Sequence, residues 1–266
     1  MLRVACVLIV ITVATVVCLP AQALSLALRL PSRRTIPVAF HRFVCRMMDV
    51  RISVVGEKVD RHPLLVIANH VSWLDVPVIG ATAPVVFVAK REIASWPVFG
   101  LLAKLQRTVF VDRERRHKTH EVNAEIAGRM AEGDPVLLFG EGTSSDGNRV
   151  LPFRTALIGA AREALTARTC DHVLIQPLSL AYVGLQGLPM GRQHRSVVAW
   201  IGDIPLWPHL LGVLRRGGID VVVKWGEPVA YESGSDRKAV AKAIEQNVRQ
   251  LTIPALRGRP VDKDMV

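Results

Sequence analysis

The chain has 266 residues, with 34 Lys plus Arg against 23 Asp plus Glu, a formal charge of +11, and a composition half hydrophobic but only 5% aromatic. That length buries a core in one large domain, and 21% charged residues beside abundant Val, Leu, Ile and Ala exclude a disordered or fibrous chain. The sequence lacks the basic-aromatic interleaving of a nucleic-acid surface, so its charge points instead to lipid headgroups and no nucleic acid.

Residues 4–28 run 25 positions without a charged side chain, longer than the roughly 20 apolar residues that cross a bilayer core. Arg3 and Ala21-Gln22-Ala23 mimic a cleavable leader, but Leu24, Leu26 and Leu28 carry the apolar run past that site, which favours a retained anchor. Arginines at 29, 33, 34, 42, 46 and 51 follow the segment, and only Arg3 precedes it. This bias places the body on the cytoplasmic side of a bacterial inner membrane. Pro20 and the mixed stretch 36–50 leave two arrangements for residues 1–50: one transmembrane helix, or a helical pair dipped into one leaflet. Cys6, Cys18, Cys45 and Cys170 show neither metal-ligand spacing nor a disulfide framework, so no metal is expected.

From residue 51 to 252 short β-branched runs alternate with amphipathic stretches. Strands are expected at 52–56, 64–68, 85–89, 108–111, 136–139, 173–181, 196–202 and 219–224, and helices near 73–80, 97–105, 115–132, 154–167 and 236–252. Alternation of this kind predicts an α/β fold, a mixed and mostly buried β-sheet flanked by helices. Trp200 and Trp225 fall in strands and are expected in the core, and 253–266 reads as a frayed tail.

Three strand ends carry chemistry. The run 64–68 leads into Asn69-His70-Val71-Ser72-Trp73-Leu74-Asp75, where a histidine can act as a base oriented by a carboxylate. Five helical residues subtend about 500°, so His70 and Asp75 meet only if His70 lies in a turn and Asp75 opens the helix, with Ser72 or a Ser/Asn cap as its start. The run 136–139 leads into a Gly-rich loop in which N–H groups around Gly142 to Ser144 can form an anion nest. Neither a Walker loop, a GxGxxG pattern nor a GxSxG elbow is completed there, which disfavours a nucleotide site and a serine hydrolase. The run 108–111 delivers Arg113, then Arg115, Arg116 and Lys118, of which the last three also read as a solvated helix start.

The strings NHVSWLD, VFVDR, FGEGT and IQPLSLAY, in this order from Asn69 to Tyr182, resemble the four blocks of the glycerolipid acyltransferase superfamily, particularly its bacterial 1-acyl-sn-glycerol-3-phosphate O-acyltransferases. The resemblance implies that His70 deprotonates an acceptor hydroxyl, with Asp75 orienting it. The oxygen then attacks the thioester of acyl-CoA or acyl-carrier protein directly, and no cofactor is needed. It further implies acceptor contacts from Asn69, Phe110, Arg113, Glu141, Gly142 and Thr143, and acyl-donor binding near Pro177. The implied acceptor is a lysolipid, first 1-acyl-sn-glycerol-3-phosphate, giving phosphatidic acid. Ser144 stands where that family's FPEGTRS block has arginine, and EGTSSDG, AWIGD and KWGEPV resemble the lyso-ornithine lipid branch, which acylates an aminolipid hydroxyl. A lipid-binding membrane protein and an esterase are the more distant alternatives.

Overall fold

The computed structural model describes residues 2–61, 63–112, 119–154, 158–166 and 170–258. Two helices lead, α1 (Leu2–Ala27) and α2 (Ser32–Met47), and β1 (Val50–Val55), β2 (Leu64–Ala68) and α3 (Asp75–Thr82) follow. Next come β3 (Val86–Lys90), α4 (Phe99–Leu105), β4 (Val109–Val111), α5 (Thr119–Ala131), β5 (Val136–Phe139) and α6 (Gly159–Thr166). The chain continues through β6 (Val173–Leu185), β7 (Leu188–Pro189), α7 (Leu206–Arg216), β8 (Ile219–Trp225), β9 (Val229–Tyr231) and α8 (Arg237–Leu256).

The strands form one mixed sheet in the order β1-β8-β6-β2-β5-β3-β4, with β7 and β9 also paired to β6. β6, β2, β5, β3 and β4 are parallel to their neighbours, whereas β8 and β9 run antiparallel to β6. Every residue of β2 is buried, as its unbroken apolar sequence LLVIA requires of a central strand covered on both faces. Its side chains alternate between two cores. Leu64, Val66 and Ala68 pack with α3, α7 and the start of α1, and Leu65 and Ile67 pack with α5, α6 and α8.

Pro177 interrupts this pattern in the middle of β6, beside Ile67 of β2. A proline lacks the N–H that a ladder needs, and it is tolerated here because the partner on its other side changes. β9 pairs up to Ile175 and β8 begins at Leu178, and the Gly226 N–H between those strands donates to Pro177 O at 2.8 Å. A Cβ on Gly226 would stand 2.8 Å from the proline Cγ, so the turn closes against the ring only with glycine.

α1 lies along the body and does not project from it. At its start Arg3 donates to Arg216 O at 3.2 Å, and Val4, Val7, Leu8 and Ile11 join the core containing Leu210, Val213 and Leu214 of α7. Near its end Gln22 Nε2 donates to Leu105 O at 2.9 Å and to Arg33 O at 3.0 Å. Ile9, Val13, Val16, Val17 and Leu24 of the same helix are exposed, so its outer face is apolar.

Three expectations are corrected. Residues 196–202 form no strand; a short 3₁₀ turn at Arg195–Val197 leads into an irregular stretch whose backbone at Trp200 bonds Val71 and Ser144 instead of a sheet neighbour. α7 has no counterpart among the expected helices, and its Pro208 lies in the first turn, where a missing N–H costs nothing. α8 continues to Leu256, past the expected end at 252, with Thr252 and Ala255 buried. Trp225 is buried as expected, and Trp200 is only half-buried.

Candidate active site

The C-terminal ends of parallel strands are where an α/β sheet exposes polar groups, and β2 and β5 are adjacent and parallel. β2 ends in the loop holding His70, and Asp75 is the first residue of α3. That is the arrangement required for the two side chains to meet. His70 Nδ1 lies 2.7 Å from Asp75 Oδ2. The expected side-chain cap is absent: no side chain caps α3, and the turn is closed by the Asp75 N–H donating to Ser72 O at 3.0 Å.

Asp75 is fully buried, and such a carboxylate persists only where donors surround it. Oδ2 accepts from the Val71 and Ser72 N–H groups at 2.6 and 3.0 Å, and Oδ1 from the Tyr182 hydroxyl at 2.7 Å. Burial and the neighbouring Asp75 charge hold the Tyr182 phenol well above its ordinary pKa, so it stays a donor. With the carboxylate accepting at Nδ1, neutral His70 carries its proton there and leaves Nε2 free as a base. Phe139, the last residue of β5, stacks on the imidazole with centroids 3.9 Å apart and fixes the ring plane. Ser72, which supplies a third triad residue type, is fully buried and bonds Asp75 through its backbone N–H.

Glu141 has the opposite environment. It is 3% exposed, and among the described residues its carboxyl oxygens are faced only by the backbone N–H groups of Leu151 and His70, which fall short of full hydrogen-bond geometry. Burial raises its pKa from 4.5 to about 8; the facing N–H groups of Leu151 and His70 offset part of that rise, and the Asp75 charge adds to it. At neutral pH Glu141 is therefore a buried carboxylic acid beneath the loop.

The remaining expected site residues separate. Asn69 is 2% exposed and spends its amide on β6, donating to Leu180 O at 2.9 Å and accepting from the Leu180 N–H at 2.8 Å. Gly142 is buried with φ +66°, and Thr143 beside it is exposed. Phe110 is half-buried in β4, three places along the sheet from β2. Pro177 is buried inside the sheet, and Arg113, Arg115, Arg116 and Lys118 lie outside the described residues. The nest expected around Gly142 is partly committed, because the Gly142 N–H donates to Phe139 O at 3.0 Å.

Sequence reasoning missed three parts of the site. Tyr182 closes the string IQPLSLAY, and its even spacing from Leu178 and Leu180 puts it on the face of Asp75. Phe139 is the apolar end of a strand next to a Gly-rich loop. The 196–202 segment straps both loops: the Trp200 N–H donates to Val71 O at 2.9 Å, and Trp200 O accepts from the Ser144 hydroxyl. No local pattern marks that last role.

Residues 51–181 match the family described as Acyltransferase. The chain is 48% identical to a lyso-ornithine lipid O-acyltransferase of Rhizobium meliloti, over 97% of this chain and 88% of the relative. It is 36% identical to a 1-acyl-sn-glycerol-3-phosphate acyltransferase of Neisseria gonorrhoeae, over 82% of this chain and 81% of that one. Among solved structures, the 1-acyl-sn-glycerophosphate (LPA) acyltransferase PlsC of Thermotoga maritima shares the fold, with a TM-score of 0.59 and 21% identity, covering 85% of this chain and 82% of its own.

Two outcomes test this geometry. Tyr182→Phe is expected to lower kcat by roughly tenfold or more with little change in KM, since one hydrogen bond to a charged group is lost behind the base. Glu141 should impose a pH slope on stability: between 4.5 and about 8 the unfolded chain releases a proton that the folded chain keeps, so stability falls as pH rises through that window. In thermal melts from pH 5 to pH 8, Glu141→Gln should remove that fall, on the order of a few kcal/mol.

Proposed function

The chain belongs to the acyltransferase family, and from that premise we propose that it transfers a fatty acyl group from a thioester donor to the hydroxyl of a lysolipid, with lyso-ornithine lipid as the acceptor. The observation that carries the chemistry is the His70–Asp75 pair at 2.7 Å, with the carboxylate saturated by buried donors and Nε2 unused. Nε2 takes the proton of the acceptor hydroxyl as its oxygen attacks the thioester carbonyl. The tetrahedral oxyanion collapses, the C–S bond breaks, and the imidazolium returns the proton to the departing thiolate. No acyl-enzyme forms, in keeping with a Ser72 hydroxyl that is buried. The N–H groups of Thr143 and Ser144 are the loop donors available to the oxyanion once Gly142 is committed.

The acceptor follows from the relatives. Similarity to the lyso-ornithine lipid enzyme covers nearly the whole chain at 48% identity, against 36% for the glycerol-phosphate enzyme, which reverses the order in which the motifs rank the two acceptors. Acyl-CoA and acyl-carrier protein both supply the required thioester.

The protein works at a membrane surface. α1 touches the body at Arg3 and again at Gln22, so its whole length lies at the depth of the domain. A spanning helix would leave the body by one end. These contacts support the reading in which the exposed face of α1 enters one leaflet, with the domain on the anionic cytoplasmic side.

Purified protein given labelled acyl-CoA or acyl-carrier protein and a panel of lysolipids is expected to acylate lyso-ornithine lipid faster than 1-acyl-sn-glycerol-3-phosphate. Release of free acid with no acylated lipid would sink the transferase reading. His70→Ala is expected to lose turnover by a factor of about a thousand or more and keep the wild-type melting temperature. In inside-out vesicles, tags at the two ends of the chain should be digested together by added protease; protection of the N-terminal tag alone would establish a spanning helix.

A further inference from the structure

The segment from Val150 to Arg154 doubles back over the loop that follows β5. The Arg154 N–H donates to Gly140 O at 3.0 Å, and the Phe153 N–H is held from behind by Glu245 Oε2 of α8 at 2.8 Å. The two glycines of the loop are where this segment crosses it. A Cβ on Gly140 would stand 2.5 Å from the Phe153 ring, and one on Gly142 would stand 2.7 Å from Arg154 Nε and 3.3 Å from its Cζ. The guanidinium of Arg154 is thus laid against the turn whose other end stacks on His70.

Its charge is not neutralised from within. Arg34, Arg51, Arg107, Arg129 and Arg249 each pair with a carboxylate, and Arg195 is held by Asn148 and Leu256 O. Arg154 is exposed and has no carboxylate partner among the described residues. The loop beneath brings no compensating charge to its outer surface, because the Glu141 carboxyl is buried and the Ser144 hydroxyl is turned onto Trp200 O. A cation fixed at its backbone, with a planar fork that meets no carboxylate among the described residues, is suited to receive an oxyanion from outside.

We infer that Arg154 is a binding residue for an anionic group of a substrate, holding it over the 140–143 loop within reach of the His70 side of the turn. The shared chemistry is a carboxylate or phosphate oxygen pair. It belongs either to the acceptor, whose ornithine headgroup keeps a carboxylate once its α-amine is acylated, or to the phosphates of the acyl donor. This inference rests on the lysolipid reading above for the identity of the acceptor, but not for the presence of the site.

The test uses full-length protein and the substitutions Arg154→Ala and Arg154→Lys. If the acceptor supplies the anion, Arg154→Ala is expected to raise the KM for lyso-ornithine lipid roughly tenfold or more, with kcat and the donor KM within about twofold, and Arg154→Lys to recover part of the loss. If the donor supplies it, the donor KM rises instead and the acceptor KM stays put. A loss of kcat with both KM values unchanged, or no change at all, overturns the inference. A second arm measures equilibrium binding of lyso-ornithine lipid and of CoA to the His70→Ala protein with and without Arg154→Ala. Equal Kd values for both probes overturn the inference even where no acceptor is turned over, so its failure and that of the lysolipid reading remain separate results.

Discussion

A buried carboxylate has to be surrounded by donors, and Asp75 dictates much of this molecule on that ground alone. Its four partners come from three places: the His70 ring, the Val71 and Ser72 backbone, and the Tyr182 hydroxyl in β6. Satisfying Oδ2 bends the chain between β2 and α3 into one turn, and that turn sets the tautomer of His70. Satisfying Oδ1 requires β6 to run past the end of β2, which it does, reaching Leu185 when β2 stops at Ala68. Asn69 locks the same two strands through both ends of its amide. The base is therefore held by the sheet itself.

Two acidic side chains lie within one site and meet opposite environments, which separates their roles. Asp75 has donors on both oxygens. Glu141 faces only the backbone N–H groups of Leu151 and His70, and burial pushes its pKa up to about 8. The segment that crosses this loop lays the Arg154 guanidinium against Gly142, above a carboxyl that is itself buried.

Much of the fold was legible because the signals were local. Five buried residues in a row announce a central strand, and β2 and β5 fall where their apolar runs place them. The meeting of His70 with Asp75 was also legible, since helix geometry allows only one arrangement in which residues five apart face each other. What was not legible depends on contacts between distant segments. The run 196–202 has a strand's composition, but its Trp200 backbone is taken up by Val71 and Ser144, far away in sequence, so it becomes the strap that joins those loops. Tyr182 looks like any strand aromatic until Asp75 appears opposite it. Asn69 and Pro177 sit within family-like strings, yet the structure spends them on the sheet.

The anchor and the catalytic turn are parts of one packing unit. Val4, Val7, Leu8 and Ile11 of α1 join the same core as Leu74, Val78 and Ile79, which carry the turn behind His70. α7 touches both, its Leu210, Val213 and Leu214 packing into that core and its His209 accepting from Trp73 Nε1 at 3.0 Å. Because indole can only donate, the accepting Nδ1 of His209 is unprotonated, and its Nε2 then donates to Ala199 O at 3.0 Å. Burial lowers the His209 pKa, which favours that neutral form. The exposed Trp207 on the same helix lies against Phe99 of α4. Through α7 and this shared core, the apolar N-terminal helix and the turn that brings His70 to Asp75 are packed as one unit, so a substitution in either is felt by the other through the side chains between them.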